Sequence, residues 1–293
     1  MGTYKISDLE NLTGVKSHTI RIWEQRYKIL TPLRSKTNIR YYDDEQLKKL
    51  LNVVSLMNAG HKISAISKLT DQEINDKVGA LANSITSEIK EETLINQLIT
   101  AGLTYDEALF EKAFSNSILS FGLMIAYQRV LYPMLNKIGL LWSITKMNPA
   151  QEHFITNLVK QKIFTAIDAL SPPKNEAKKW LLFLPEGEHH ELGLLIANYG
   201  LRAKGYPVYY LGANVPVSSL QTISNQIQPT HYLTFAVKSN QQKILNPYFS
   251  KMDQALNNPH LHICCNKNLL SELKLSKNHQ AITSIEVFQE LIS

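Results

Sequence analysis

The sequence has very little cysteine and no long apolar run. Its two cysteines, Cys264 and Cys265, are adjacent, which excludes a framework of disulfides and fits a reducing cytoplasm. No apolar run approaches the roughly 20 residues that a membrane-spanning helix needs. The first residues also lack the apolar core of a signal peptide. These absences predict a cytoplasmic protein with no membrane partner.

Positive charge is concentrated at the N-terminal end. The chain has a formal net charge of +6, and residues 1–70 carry 12 Lys and Arg against 6 Asp and Glu. The remaining residues carry 19 of each sign, so the excess lies entirely in the first quarter of the chain. A basic module on a neutral body is typical of nucleic-acid binding.

The pattern of apolar residues and helix breaks predicts four regions. Residues 1–72 contain short helices and a basic, β-capable stretch, which indicates a winged helix-turn-helix. Residues 73–89 are polar and indicate a linker or connecting helix. Residues 90–172 contain four helical stretches, typical of a bundle. In residues 178–293, four short apolar runs alternate with helices, which predicts a doubly wound parallel sheet. The expected fold class is multidomain, α and α/β.

The N-terminal module has the donors that DNA recognition requires. A helix from Lys5 to Thr13 is followed by a turn at Gly14 and a second helix that ends near Arg26. The second helix and the basic stretch after it supply hydrogen-bond donors for base edges and phosphates. The candidate DNA-binding residues are Lys16, His18, Thr19, Arg21, Arg26, Tyr27, Arg34, Lys36, Arg40 and Tyr41. Asp43 is the expected N-cap of a third helix, with Gln46 as its capping-box partner.

The same module resembles a known family. The similar positions are Tyr4-Lys5-Ile6, Leu9, Thr13-Gly14-Val15, Thr19-Ile20-Arg21-Ile22-Trp23-Glu24, Arg26-Tyr27, Leu30-Thr31-Pro32, Arg34 and Arg40-Tyr41-Tyr42. In this order they resemble the winged-helix domain of the MerR family over about residues 3–70. The resemblance implies a homodimer or tetramer on double-stranded promoter DNA, where RNA polymerase is a further expected partner.

A second motif follows the first apolar run of the α/β region. The sequence Glu188-His189-His190-Glu191-Leu192-Gly193 lies where a parallel strand ends and a helix begins, the edge at which such sheets bind ligands. It resembles the cobalamin-binding signature of an acid, any residue, His, two residues and Gly. The resemblance implies that His190 ligates cobalt from below and Glu188 holds its other ring nitrogen. Gly193 would leave room for the nucleotide tail.

The helical region contains a third resemblance. Trp142 is followed after nine residues by Glu152 and His153, a spacing similar to that of the CarH/LitR group, which are MerR-type regulators with an adenosylcobalamin photosensor. The resemblance implies adenosylcobalamin as cofactor, with the tryptophan capping the adenosyl group and the Glu-His pair contacting it. Ser143 stands where the best-known members have a histidine that can ligate cobalt after illumination.

Two departures from the cobalamin pattern keep alternatives open. Thr234 stands in for the serine of a Ser-any-Leu element, and Cys264-Cys265 replaces a Gly-Gly pair at which the backbone approaches the tail. The favoured hypothesis is a non-enzymatic regulator whose oligomeric state is set by cobalamin. One alternative is a MerR-type regulator that no longer binds cobalamin and responds to another ligand or protein. Another is a corrinoid carrier subunit of a methyltransferase, although a carrier has no use for DNA contacts.

Overall fold

The protein is described by a computed structural model that covers residues 3–34, 38–81, 87–143, 148–173, 178–237 and 242–293, with only the backbone for residue 87 and residues 141–143. The chain divides into two compact units, Met1–Leu158 and Val159–Ser293. Within the described residues, no single helix is both long and apolar enough to cross a membrane, and only Glu107–Phe121 together with Leu123–Leu140, bent by 119°, meets that test as a pair.

The first unit opens with the expected winged helix-turn-helix. Its elements are α1 (Ile6–Thr13), α2 (Ser17–Ile22) continued by a π-helical turn (Trp23–Tyr27), the antiparallel hairpin β1 (Leu33–Arg34) and β2 (Arg40–Tyr41), α3 (Asp44–Asn58), α4 (Ile63–Ile66) and α5 (Asp71–Leu81). Gly14 adopts a φ of 72°, which favours glycine, at the turn between α1 and α2. Asp43 caps α3 as predicted, but the Gln46 side chain accepts from the Thr31 amide rather than completing a capping box.

The remaining helices of this unit are α6 (Ser87–Thr104), α7 (Glu107–Phe121), α8 (Leu123–Ala126) with a π-helical turn (Tyr127–Leu131), α9 (Tyr132–Ser143) and α10 (Pro149–Asp168), which continues into the second unit. Aromatic and aliphatic side chains such as Phe110, Val130 and Ile155 fill the core between them. A Cβ on Gly102 would lie 3.2 Å from the Ile155 side chain, so α6 and α10 pack closely there. Helix α6 also packs on α3.

The second unit is a five-stranded parallel sheet with helices on both faces. Its elements are β3 (Trp180–Pro185), α11 (Leu192–Ala203), β4 (Val208–Val215), α12 (Val217–Ile227), β5 (His231–Ala236), α13 (Gln242–Leu256), β6 (Leu261–Cys265), α14 (Lys267–Leu270), β7 (His279–Ile282) and α15 (Ile285–Leu291). The strand order is β4-β3-β5-β6-β7, so the predicted doubly wound fold is confirmed. The strand β7 was not among the four expected, because it is short and half polar.

The two faces of this sheet are packed by different helices. Tyr232 and Ala236 of β5 belong to a core that includes Tyr248 and Phe249 of α13. Since side chains alternate along a strand, Leu233 and Phe235 point to the other face, where α11 packs on β3, β4 and β5.

Candidate functional site

The loop between β3 and α11 lies at the point where the order of the sheet reverses. Strand β3 has β4 on one side and β5 on the other, and ligands of doubly wound sheets bind in the crevice at this switch point. The loop is fixed by the C-terminal end of β4, because the Gly187 amide donates to Asn214 Oδ1 at 2.9 Å and the Asn214 amide donates to the Glu188 carbonyl at 3.3 Å. The sequence-predicted motif is therefore held in one conformation at the expected edge.

Glu188 has a buried carboxylate that is almost fully hydrogen-bonded. Its side chain is 1% exposed. Oε1 accepts from the amides of His189 and His190 at 2.8 and 3.0 Å and contacts His190 Nδ1 at 2.5 Å, and Oε2 accepts from the Val237 amide at 3.3 Å. Burial alone raises the pKa of Glu188, but the hydrogen bonds from His190 outweigh it and lower the pKa to about 2. The group is therefore a carboxylate at neutral pH.

His190 presents its other ring nitrogen outward. The His190 side chain is 49% exposed, and no described residue hydrogen-bonds to its Nε2. A carboxylate on Nδ1 keeps the proton there and leaves the Nε2 lone pair free, which is the arrangement of a metal-ligating histidine. Among the described residues no group of three or more His, Cys, Asp or Glu could hold a bare metal ion. A single imidazole of this kind suits a metal that is already held by another ligand, as cobalt is in a corrin.

The space beside Gly193 contains an aromatic ring. A Cβ at Gly193 would lie 2.5 Å from Cε1 and 2.7 Å from Cδ1 of Phe235, so only glycine fits between α11 and this ring. The ligand end of the motif therefore fits a corrinoid, whereas the place predicted for the nucleotide tail is filled.

Thr234 and the two cysteines lie on β5 and β6, the strand of that ring and its neighbour. By strand alternation Thr234 lies on the face opposite Phe235, away from Gly193, and no described residue hydrogen-bonds to its buried hydroxyl. Cys264 pairs with Phe235 in the register of β5 and β6 and lies on the Phe235 face. Burial raises the pKa of Cys264 and of Cys265, so both are protonated thiols. The role of Thr234 toward a cofactor stays a prediction that this placement does not favour.

A second carboxylate in the loop was missed by the sequence analysis. Glu191 accepts from the Tyr210 hydroxyl at 2.8 Å and pairs with Lys160 at 3.1 Å. Gly212 has a φ of 77°, and a Cβ there would lie 3.0 Å from Glu191 Oε1. The network fixes the start of α11 beside His190. The partners of Glu191 are Lys160 and Tyr210, 31 and 19 residues away along the chain, so no local sequence pattern indicated this network.

The candidate DNA-binding side chains form an exposed basic surface on the first unit. Lys16, His18, Arg21, Arg26 and Arg34 are exposed, whereas Thr19, Tyr27, Arg40 and Tyr41 are partly buried. The Arg26 guanidinium lies 5.4 Å from the centre of the Tyr27 ring, and Arg34 donates to Asn38 at 2.5 Å across the hairpin. Lys36 lies outside the described residues. Arg21 on α2 is suited to base contact and Arg34 on the wing to phosphate contact.

Arg40 also takes part in a buried network. Glu24, 5% exposed, accepts a hydrogen bond from the Tyr42 hydroxyl and lies 3.4 Å from Arg40 Nε. Burial and the adjacent Glu24 raise the pKa of the Tyr42 hydroxyl. These contacts join the π-helical turn after α2 to the strand β2, so they position the wing against the recognition helix. Sequence reasoning assigned Arg40 to DNA and did not find Glu24.

Comparisons with known proteins agree on two domains. The family model described as MerR HTH family regulatory protein matches residues 4–73, and the model described as B12 binding domain matches residues 77–166. The HTH-type transcriptional repressor CarH of Myxococcus xanthus is 28% identical over 257 residues, which cover 87% of this chain and 85% of that protein. The repressor CarA of the same organism is 29% identical over 233 residues, which cover 78% and 74%.

The N-terminal domain of the chain belongs to the MerR HTH family. The two matched domains make the chain a DNA-binding regulator linked to cobalamin. A structural comparison supports the fold alone. The monomethylamine corrinoid protein of Methanosarcina barkeri aligns with a TM-score of 0.50 and 13% identity, over 76% of this chain and 98% of that one.

The structure brings some of the predicted cofactor residues together. Glu188, His190 and Gly193 lie in one loop and helix start. Glu152 pairs with His153 at 2.7 Å at the start of α10, and the His153 side chain is 72% exposed. Trp142 belongs to α9, but its side chain lies outside the described part of the chain. The roles of these three helical residues stay predictions.

Proposed function

We propose that the protein regulates transcription by binding promoter DNA through its MerR domain and that a cobalamin ligated by His190 controls this binding. The observation that supports the proposal is the Glu188–His190 pair at the switch point of the sheet, in the same chain as an exposed basic recognition helix. The protein acts in the cytoplasm as a regulator rather than an enzyme.

On the DNA side, the proposal gives distinct roles to the basic residues. The exposed side chains of α2 enter the major groove, and the hairpin β1–β2 contacts the phosphate backbone. Two copies on a near-palindromic site would place two recognition helices on successive turns, so a dimer or tetramer is the binding form. Oligomerisation also gives avidity that a ligand can switch. RNA polymerase at the same promoter is the further partner.

On the cofactor side, His190 Nε2 would hold the cobalt and Glu188 would keep the imidazole in the right orientation and tautomer. We further propose the adenosyl form, with Trp142, Glu152 and His153 as its contacts, on the resemblance to the CarH/LitR group. That cofactor would supply a cobalt–carbon bond that light can break. Ser143, a neutral hydroxyl, is a poor cobalt ligand, so we expect no second histidine at cobalt from that position.

A spectroscopic titration tests the ligand assignment. Purified protein is mixed in the dark with adenosylcobalamin, and the absorption bands of the corrin are followed for wild type, His190→Ala and His189→Ala. His189 is the matched control, because it is adjacent and exposed and its ring has no contact with Glu188 among the described residues. The expected result is a histidine-ligated spectrum that only His190→Ala abolishes. An unchanged spectrum in His190→Ala would refute the assignment.

The link to DNA is tested with the same preparations. A DNA fragment selected by the protein from a random pool is used in mobility-shift experiments with and without adenosylcobalamin, in the dark and after illumination. A cofactor-dependent shift that light reverses supports the adenosyl and light proposals. A shift that responds to cobalamin but not to light refutes the light proposal alone.

The filled space at Gly193 favours a second candidate function. In this alternative the chain is a MerR-type regulator that has lost cobalamin and responds to another ligand or protein. It predicts DNA binding that does not respond to any cobalamin, with no spectral change at micromolar concentrations of the cofactor.

A further inference from the structure

Phe235 occupies the position predicted for the nucleotide tail of a bound corrinoid. Its ring is the group that a Cβ on Gly193 would meet at 2.5 Å. Two residues later, the Val237 amide donates to Glu188, which holds His190. The ring is therefore connected by two residues of backbone to the carboxylate of the proposed ligand pair. It lies on the sheet face that α11 covers, beside the proposed cobalt ligand rather than in a remote core.

The ring cannot move deeper into the protein. Further down the same face of β5, Leu233 is fully buried, and the neighbouring strand contributes His262 and Cys264, which are 2% and 7% exposed. Phe235 itself is only partly buried. Because the interior side is closely packed, the ring can leave its place only by rotating toward solvent.

We propose that Phe235 is a specificity-determining residue that disfavours corrinoids with a lower nucleotide and admits those without one. This inference rests on the proposed function, since it takes His190 as the cobalt ligand. The lower nucleotide base of cobalamin is planar and bicyclic, larger than a phenyl ring, so the two cannot occupy the space beside Gly193 together. A corrinoid without the nucleotide, such as a cobinamide, needs only the exposed Nε2 of His190. Cobalamin additionally requires Phe235 to turn into water, which exposes apolar surface.

The test compares aquacobalamin with diaquacobinamide, titrated by absorbance against wild type, Phe235→Ala and Phe235→Leu. Cobalamin must also release its own lower base from cobalt, but that cost is the same for every variant. The informative quantity is therefore the change in the ratio of the two dissociation constants. We expect Phe235→Ala to shift this ratio toward cobalamin by about tenfold or more, the effect of removing the exposure of one aromatic side chain. Phe235→Leu should give a smaller shift in the same direction.

A matched control removes a buried ring from the opposite face. Phe249 of α13 is 1% exposed and packs in the core on the other side of the sheet. Phe249→Leu should leave the ratio unchanged, and Phe235→Leu guards against misfolding of the alanine variant.

The outcomes separate this inference from the proposed function. If both corrinoids bind through His190 and the ratio is the same in all variants, the inference is wrong and the proposed function stands. A loss of cobalamin affinity in both Phe235 variants would also overturn it, because the ring would then be a ligand contact. If neither corrinoid binds to any folded variant, His190 is not a cobalt ligand and both proposals fail.

Discussion

His190 Nδ1 lies 2.5 Å from Oε1 of Glu188, and the same carboxylate oxygen accepts the His190 backbone amide at 3.0 Å. The two contacts fix both the ring and the backbone of one residue. The imidazole therefore has a defined orientation before any ligand arrives, so little ordering of this side chain remains to oppose binding.

Replacing the carboxylate should weaken the imidazole as a ligand. In Glu188→Gln the negative charge beside His190 Nδ1 is lost while the side chain keeps its size, so the imidazole is held less firmly in one tautomer and orientation. We expect corrinoid affinity to fall by about 10- to 100-fold, less than in His190→Ala, in a spectroscopic titration. Glu186→Gln, in the same loop but exposed, is the control. Equal affinity for wild type and Glu188→Gln would show that the pair is only structural.

Replacing Arg21 or Arg34 with alanine should weaken DNA binding in different ways. If Arg21 contacts a base edge, Arg21→Ala costs about 1–3 kcal/mol on the specific site and much less on random DNA. Arg34→Ala, if it removes a phosphate contact, weakens binding to both and reduces the salt slope by about one. Fluorescence anisotropy at several salt concentrations measures both effects. If Arg21→Ala weakens binding equally on specific and random DNA, Arg21 contacts the phosphate backbone rather than a base.

Arg40 should contribute to folding as well as to DNA binding. Arg40→Ala leaves the buried Glu24 carboxylate without its cation, so we expect the first unit to lose about 1–3 kcal/mol of unfolding free energy. Urea unfolding measures the loss. In Glu24→Gln the carboxylate is replaced by a neutral amide. Adding Arg40→Ala to this variant should therefore lower the free energy of unfolding by less than Arg40→Ala does in the wild type. Additive losses would contradict a coupled network.

The second unit should become less stable in acid because of His262. Burial lowers the pKa of His262 from 6.5 to about 4, and repulsion from His231 and His260 acts in the same direction. A lowered histidine pKa stabilises the fold fully above pH 6.5, and that contribution is lost as the pH falls toward 4. The loss is at most about 3 kcal/mol. His262→Gln should flatten the fall in unfolding free energy over this range, whereas the exposed His153→Gln should not.

The packed helices α3 and α6 carry buried polar groups that are incompletely paired. Asn96 Nδ2 donates to Ser55 Oγ at 3.1 Å, but no described residue hydrogen-bonds to the Thr100 hydroxyl. Thr100→Val keeps the shape and removes a buried polar group without a partner, so it should leave thermal stability unchanged or raise it. Asn96→Leu removes the hydrogen bond to Ser55 and should lower the free energy of unfolding by about 1 kcal/mol. A clear loss in Thr100→Val would show that its hydroxyl has a partner.

Several elements could be predicted from the sequence because their determinants are local. The two helices around Gly14, the cap at Asp43 and the alternation of apolar strands with helices each depend on residues within about a dozen positions. The Glu188 to Gly193 motif was placed at a strand end by the same local pattern. The contact between Glu188 and His190, which lies within one loop, was implied by the resemblance of this loop to the cobalamin-binding signature.

The tertiary structure alone decided which face of the sheet each side chain occupies. The period of two in β5 separates Thr234 from Phe235, but it does not say which of them α11 covers. That depends on how α11 and α13 pack from opposite sides, which no short stretch of sequence records. For the same reason Glu24 and Glu191 were missed, because their partners approach only when distant segments fold together. The sequence by itself therefore determined the kind of site, and tertiary packing determined that an aromatic ring stands inside it.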